Sequence, residues 1–361
     1  MKYLVIQTRD IGDVMLSTAL CNTLKENYPA AEVDMLTMDY CAGVVRGNPN
    51  ISEIIEIKKS ERNKLGYILK TLCYIRAKKY DAIVNMQGQV VGLLCCLFSL
   101  SSRRIGLNKF PWRYAHSDQV PFPFPDQPSG DGHTMDLRFS LLAPLSVKVS
   151  SRDYRLWLSD SESAAAQENL TGSGLDLSRP IVALGINSRD DYKQWPIDYF
   201  ARIASWLIEA FGVQILVFFG PGEESYSKQL KPLVDESIQA HVFDNLRTTS
   251  IRELAAVFSH CSLYVGNDTG PRHIAQALNV PAFAIVSPAS NKWTWVPWHN
   301  PRFKAIDTGD ALGLNESEWL AISSKLSKGV DDAPWFARLS PEFAQAQLQA
   351  MINDLKLFNK D

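Results

Sequence analysis

The chain has 361 residues, and because a single hydrophobic core stops growing at about 250–300 residues, two domains are expected. With 46% hydrophobic and 21% charged residues it has an ordinary globular composition, which excludes collagen-like, coiled-coil and largely disordered classes. A net charge of −2 argues against nucleic acid as the main partner, since phosphate backbones require a surplus of Lys and Arg.

The opening MKYLVIQTRD has too short an apolar run for a secretory signal. The longest apolar stretch, VVGLLCCLFSL at 90–100, suits a buried helix and falls well short of the ~20 residues of a membrane span. A cytoplasmic protein is expected. The six cysteines form no C-x-x-C pair and have no His at metal spacing, so they read as reduced packing residues, and no structural zinc is expected.

In chain order, short β-rich runs alternate with helical patterns. YLVIQ (3–7), EVDMLT (32–37), IIEI (54–57) and YDAIVNM (80–86) form a first series. IVALGI (181–186), VQILVFFG (213–220), HVFDNL (241–246), SLYVGN (262–267) and PAFAIVS (281–287) form a second. Strands separated by helices imply βαβ units, so two parallel sheets are expected. The Pro- and Gly-rich VPFPFPDQPSGDG (120–132) reads as a loop. A domain junction is expected near 150–178, where a helix SESAAAQENL takes Asp160 or Ser161 as its N-cap. The tail SPEFAQAQLQAMINDLKLF has helical spacing.

Ligands of open parallel sheets sit beyond the carboxyl ends of the strands, so the loops there are the candidate sites. In YVGNDTGPRHIAQALNVPAFAIVSP (264–288), Thr269 or Gly270 caps a helix whose first turn contains Pro271. Its exposed N–H groups form an anion site over Thr269, Gly270 and His273, or the stretch merely turns a corner with a buried His. Asp268 suits orienting loop amides or accepting a sugar or ribose hydroxyl. In NSRDDYKQWP (187–196), Lys193 supplies a compact cation for a diphosphate and Ser188 a hydroxyl, unless the loop is simply solvated. FFGPGEESY (218–226) contributes Glu223 as an acceptor for ribose hydroxyls, with Glu224 one step away. TRDIGDVMLSTAL lacks G-x-G-x-x-G, and its Asp13 suits the first turn of a helix. KKSERNK (58–64) and RRIGLNKFPWR (103–113) concentrate cations in the first half, among them Arg62, Lys64 and Arg113.

Together IGDVMLSTAL, SRDDYKQWP, GPGEE and VGNDTGPRHIAQALNVP resemble glycosyltransferase family 9, the bacterial heptosyltransferases of lipopolysaccharide core assembly. The resemblance implies the α/β GT-B architecture, two Rossmann-like domains with parallel sheets facing a central cleft. It implies an acceptor-binding domain over 1–165, a nucleotide-sugar domain over 166–340 and a C-terminal helix over 341–361 packing back on the first domain. It matches Asp13 to the family's catalytic base, Lys193 to its donor-phosphate lysine, Glu223 to its ribose-binding glutamate, and Asp268, Thr269, Gly270 and His273 to its Asp-Thr-Gly-x-x-His. Ala19 stands where the family usually has Pro, and Tyr192 is an extra residue before the lysine.

The implied reaction is inverting, metal-independent transfer of heptose from ADP-heptose to a lipid-linked oligosaccharide acceptor. No cofactor is expected, and peripheral contact with the cytoplasmic face of the inner membrane is. Alternatives are another nucleotide sugar or acceptor, as in capsule, O-antigen or protein glycosylation, and a catalytically silent nucleotide-binding protein.

Overall fold

A computed structural model describes residues 1–86, 89–121, 133–220, 222–297, 300–326, 330 and 332–358. The chain divides into two compact units, Met1–Trp157 and Leu158–Asp361. The first contains β1 (Lys2–Ile6), α1 (Ile11–Asn27), β2 (Glu32–Met38), α2 (Asp39–Ala42), β3 (Glu53–Ile57), α3 (Leu65–Lys78), β4 (Ala82–Asn85), α4 (Val90–Phe98), β5 (Arg103–Leu107), β6 (Asp118–Val120) and α5 (His133–Ser140). A 3-10 turn, Trp112–Ala115, joins β5 to β6.

The second unit contains α6 (Asp160–Gly172), β7 (Ile181–Gly185), α7 (Ile197–Phe211), β8 (Gln214–Val217), α8 (Glu224–Ser227), β9 (Val242–Phe243), α9 (Ile251–Phe258), β10 (Leu263–Asn267), α10 (Gly270–Ala277) and β11 (Ala282–Ile285). It continues with α11 (Lys292–Trp295), β12 (Phe303–Ile306), α12 (Thr308–Ala311), α13 (Glu316–Ser323), α14 (Asp332–Phe336) and α15 (Pro341–Leu355).

All nine expected strands are present, and β5, β6 and β12 complete two six-stranded sheets. Every described strand pair is parallel, for example Val5 beside Met35 on β2 and beside Val84 on β4. The orders are β3-β2-β1-β4-β5-β6 and β12-β11-β10-β7-β8-β9. Each sheet thus grows outward through three strands and then returns to the other side of its first. The reversal opens a crevice at the carboxyl ends of β1 and β4, and another at those of β7 and β10.

Alternation of side chains decides which face each core takes. Leu4 and Ile6 of β1, Leu36 of β2, Ile55 of β3 and Ile83 of β4 bury against Leu72 and Ile75 of α3 and Cys95 and Cys96 of α4. In the second sheet, Val182, Leu184, Ile215, Val265 and Phe283 bury beneath Phe200, Ala204 and Leu207 of α7 and Leu348 and Met351 of α15. The C-terminal helix therefore packs on α7 of the second unit. The division at 157/158, rather than the expected 165/166, keeps α6 whole, because α6 packs on α9. Its N-cap is Ser159, not Asp160 or Ser161: the Ser159 hydroxyl accepts from the Glu162 N–H while the Glu162 carboxylate accepts from the Ser159 N–H. The Pro- and Gly-rich loop expected over 120–132 lies, from 122 onward, outside the described residues.

The two central strands of the second sheet meet at Gly266 and Gly185. A Cβ on Gly266 would stand 2.5 Å from the Gly185 carbonyl oxygen and 2.7 Å from its Cα, and backbone on a central strand has nowhere to move. Gly266→Ala should therefore lower unfolding free energy by about 1–3 kcal/mol, read from the midpoint of urea unfolding, and an unchanged midpoint would contradict this packing.

Candidate functional site

Each residue expected to act on the donor follows a strand of the second sheet at its carboxyl end. The loop after β7 is pinned from two sides. Asn267, wholly buried at the end of β10, donates to the Ile186 carbonyl at 2.8 Å and accepts from the Trp195 N–H at 3.0 Å. Trp195 is itself buried, and its indole N–H donates to the Leu339 carbonyl at 3.0 Å. Asn187 donates to the Phe218 carbonyl at 3.3 Å and the Ser227 hydroxyl at 2.7 Å, fastening the same loop to α8.

Between these anchors, Asp191–Lys193, with Tyr192 at its centre, makes one 3-10 turn, and Lys193 stands two residues before the buried Trp195. The Lys193 ammonium pairs with Asp190 at 2.9 Å and lies 5.4 Å from the centre of the Tyr192 ring. Burial pushes its pKa down, but the Asp190 carboxylate outweighs this and holds it above the ordinary lysine value. Ser188 is half-buried, and its hydroxyl accepts from the Asp190 N–H at 3.3 Å.

Glu223 and Glu224 separate clearly. Glu224 is occupied by Lys228 and Arg247, both at 2.8 Å. Glu223, the N-cap of α8, turns back and accepts from the Gly220 N–H at 2.8 Å, beside the end of β8. Pro221 of the same turn lies outside the described residues.

Thr269 is the N-cap of α10 without a side-chain cap bond, and Gly270 and Pro271 open its first turn. Asp268 pairs at 2.9 Å with Arg272, a residue to which the sequence assigned no role. Arg272 is 1% exposed and also donates to Gln276 at 2.6 Å, to the Trp295 carbonyl at 3.2 Å and to His273 Nε2 at 3.1 Å. Because guanidinium only donates, Nε2 accepts and the ring proton sits on Nδ1. His273 is buried and packs edge-on to Trp295 at 5.9 Å. Asp268 therefore spends its charge on Arg272, which ties α10 to α11. Of the Trp-rich stretch at 291–300, Lys292 is buried against Asp307 at 3.2 Å and also bonds Asp310, while residues 298 and 299 lie outside the described residues.

In the first unit Asp13 stands in the first turn of α1, after β1 at that sheet's crevice. It is largely buried, and Oδ1 accepts from Arg138 Nη2 at 2.7 Å, while Oδ2 lies 4.0 Å from Arg9. Arg138, on α5, is 2% exposed and also donates to the Ser17 hydroxyl at 3.3 Å and to the Thr134 carbonyl at 2.8 Å. Burial lowers the guanidinium's pKa and the Asp13 charge opposes that effect. Arg138 was invisible to motif reading because it is 125 residues from its partner.

Of the cations expected on the acceptor side, Arg62 is exposed after β3 and contributes to a small cavity with Ile57, Tyr67, Leu72 and Val91. Lys64 is the N-cap of α3, whose first turn holds no acidic residue. Arg113 stacks on Tyr114 at 5.1 Å and Phe110 at 5.9 Å. All three follow the carboxyl ends of β3 or β5. Arg103 and Arg104 instead lie at the amino end of β5, where Arg103 pairs with Asp118 at 3.0 Å and Arg104 donates to the Ser101 and Ala115 carbonyls. Among the described residues, no group of three or more His, Cys, Asp or Glu is placed to hold a metal ion, and no helix is long and apolar enough to cross a membrane.

Residues 68–306 match glycosyltransferase family 9 (heptosyltransferase). Lipopolysaccharide heptosyltransferase 3 of Escherichia coli is 25% identical over 301 residues, covering 80% of this chain and 84% of that protein. The crystal structure of a family 9 glycosyl transferase from Veillonella parvula superposes with a TM-score of 0.81 at 20% identity, over 98% of this chain and 97% of that one. E. coli heptosyltransferase WaaC with ADP superposes with a TM-score of 0.71 at 16% identity, over 97% of this chain and 100% of that one. These likenesses span both units and show a shared fold of two Rossmann-like domains, the GT-B architecture.

The buried Asp13–Arg138 pair has an asymmetric consequence. Arg138→Met strands a carboxylate with only the more distant Arg9 nearby and should cost about 3–5 kcal/mol of stability by urea unfolding. Asp13→Asn keeps an oxygen for Arg138, so its loss should be well under half of that. Equal losses in the two variants would refute this.

Proposed function

The chain belongs to glycosyltransferase family 9, and from that premise we propose that it moves heptose from ADP-heptose to a lipopolysaccharide core acceptor, with inversion and without a metal. The observation that carries the reading is the convergence of Ser188, Lys193, Glu223, Thr269, Gly270 and His273 on the carboxyl edge of one sheet, around its strand reversal. The names of the similar E. coli proteins, one a lipopolysaccharide heptosyltransferase and one described with ADP, support the donor and acceptor classes.

In this reading the diphosphate meets the N–H groups at the start of α10, the Lys193 ammonium and the His273 Nδ1–H. A diphosphate is a stronger competitor for Lys193 than the single carboxylate of Asp190. As the sugar–phosphate bond breaks, negative charge gathers on the leaving ADP, and these donors stabilise it, the part a divalent cation plays in other glycosyltransferases. Glu223 accepts from ribose hydroxyls. Asp268 acts through Arg272, fixing the start of α10.

On the acceptor side, a sugar hydroxyl is too weak an acid to ionise first, so its proton leaves as the new bond forms at the anomeric carbon. Asp13 Oδ2 accepts that proton, while Arg138 holds Oδ1 and orients the carboxylate. Arg62, Lys64 and Arg113 bind anionic groups of the acceptor. Such an acceptor is anchored in a membrane, and the protein works as a peripheral protein on the cytoplasmic face of the inner membrane. One observation favours a second reading, a catalytically silent nucleotide-binding protein: the burial of Asp13 beneath Arg138 also suits a purely structural pair.

Two measurements decide between these readings. Asp13→Asn should lower kcat by about 10²–10⁴ with ADP affinity unchanged, whereas Lys193→Gln should weaken ADP binding in calorimetry by about tenfold or more. Full turnover by Asp13→Asn would remove the proposed base, and ADP binding by the wild type without turnover on any heptose acceptor would favour the silent protein. Mass spectrometry of surface glycolipids from a strain lacking the chain should show a core short of heptose. An intact core with an altered capsule would assign another acceptor.

A further inference from the structure

We propose that the outer face of the α3–α4 layer, together with the 110–114 turn, is a docking surface for an anionic lipid bilayer. It rests on the peripheral membrane contact proposed above, names the surface that makes it, and holds whatever sugar is transferred.

The argument begins with α4. Its sequence, VVGLLCCLF, contains no charged side chain, and such a helix normally lies buried on all sides. Here α4 covers one sheet face with Leu93, Cys95 and Cys96, and its other side is exposed at Val90, Leu97 and Phe98. On α3, Leu65 and Leu69 are exposed one turn apart, Phe110 is exposed just before the 3-10 turn that packs on α4, and Tyr114 is exposed within it. Nine of the sixteen exposed large hydrophobic residues described for the chain fall between 65 and 114, so the apolar surface is concentrated on this layer. Leu100 adds a separate signal. It is exposed at φ 59°, a left-handed conformation suited to Gly or Asn, and neither burial nor backbone preference accounts for a leucine there.

Charge selects the occupant. Of the ten Lys and Arg in residues 62–117, Lys78 pairs with Glu53 and Asp34, and Arg103 and Arg104 serve the amino end of β5; the other seven are Arg62, Lys64, Lys70, Arg76, Lys79, Lys109 and Arg113, with acidic Asp81 inside the span and Glu61 and Asp118 just outside it. Lys70 and Arg76 are exposed on α3 between its apolar positions, Arg62 and Lys64 stand at its start, and Lys109 and Arg113 flank the exposed Phe110. Cations mixed with Leu, Val, Phe and Tyr match an anionic interface, where apolar side chains enter the headgroup boundary and ammonium and guanidinium groups meet phosphates. A second copy of the same face would bring like charges together. An acidic protein surface would satisfy the cations but leave the Val90, Leu97 and Phe98 stripe unmatched.

The test is co-sedimentation of the full chain with phosphatidylglycerol/phosphatidylethanolamine vesicles and with phosphatidylcholine vesicles. Binding is expected to the former only, and to weaken as salt rises. Lys70→Gln/Arg76→Gln should lower the partition coefficient about fivefold for each cation removed. Leu97→Gln/Phe98→Gln should reduce it at least as far, and this loss should persist across the salt range. ADP calorimetry on the same variants reports an intact second unit, and unaltered thermal unfolding reports an intact first. Because vesicle binding is read without turnover, failure of the donor assignment would leave it untouched. The proposal is overturned by a wild type that ignores anionic vesicles at low salt, by equal binding to phosphatidylcholine, by variants that bind as tightly as wild type, or by a dimer in sedimentation equilibrium that Leu97→Gln/Phe98→Gln dissolves.

Discussion

The second unit, proposed above to hold the donor, depends on one side chain, Asn267. Its amide bridges the end of β10 to the loop after β7, donating a hydrogen bond to the Ile186 carbonyl and accepting one from the Trp195 N–H. Both bonds lie out of water, where an amide left unmatched costs about 1–3 kcal/mol. That one residue fixes the distance between two segments of different origin: the turn that presents Lys193 and the helix start that presents Gly270. Asn187 extends the lacing to α8 and so to Glu223. The loops proposed to bind the diphosphate thereby acquire the rigidity of the sheet beneath them, which electrostatic stabilisation requires if its dipoles are to be aligned before the reaction.

The first unit solves a different problem. In the proposed reaction its carboxylate takes a proton and so needs one fixed oxygen and one reactive oxygen, and burial alone would penalise its charge. Arg138 meets both needs, neutralising the buried charge and holding Oδ1. The cost is a dependence of α1 on α5, because the buried Asp13 carboxylate tolerates loss of Arg138 poorly. Two different devices, amide lacing in one unit and a buried ion pair in the other, thus serve the same end of immobilising a few side chains beyond the ends of parallel strands.

Much of this was legible because hydrophobic runs and strand-end loops obey local rules. Nine strands announced themselves as β-branched or aliphatic runs, and the loops carrying Lys193, Glu223 and Asp268 were recognisable by position. The missed strands were those with weak local signals: β5 opens on two arginines, β6 has three residues and β12 only four, with a lysine inside. Register with a neighbour, a non-local property, makes them strands. For the same reason Arg138 and Asn267 escaped notice, since their partners lie far along the chain or in another loop. The basic stretch at 103–113 shows how composition misleads, because its first two arginines serve the opposite end of β5 from its last. Ser159 is a different case: the S-x-x-E box was present in the sequence and outranks the Asp and Ser that follow it.

The contact between Gly185 and Gly266 also constrains how this lobe can evolve. A Cβ on Gly266 would strike the Gly185 backbone and one on Gly185 the Tyr264 hydroxyl, so neither position accepts a side chain and the spacing beneath these loops is held in any descendant that retains the sheet. Innovation in which sugar or nucleotide is accepted is then channelled to the peripheral loops, after β8, β11 and β12, where insertions leave that seam untouched.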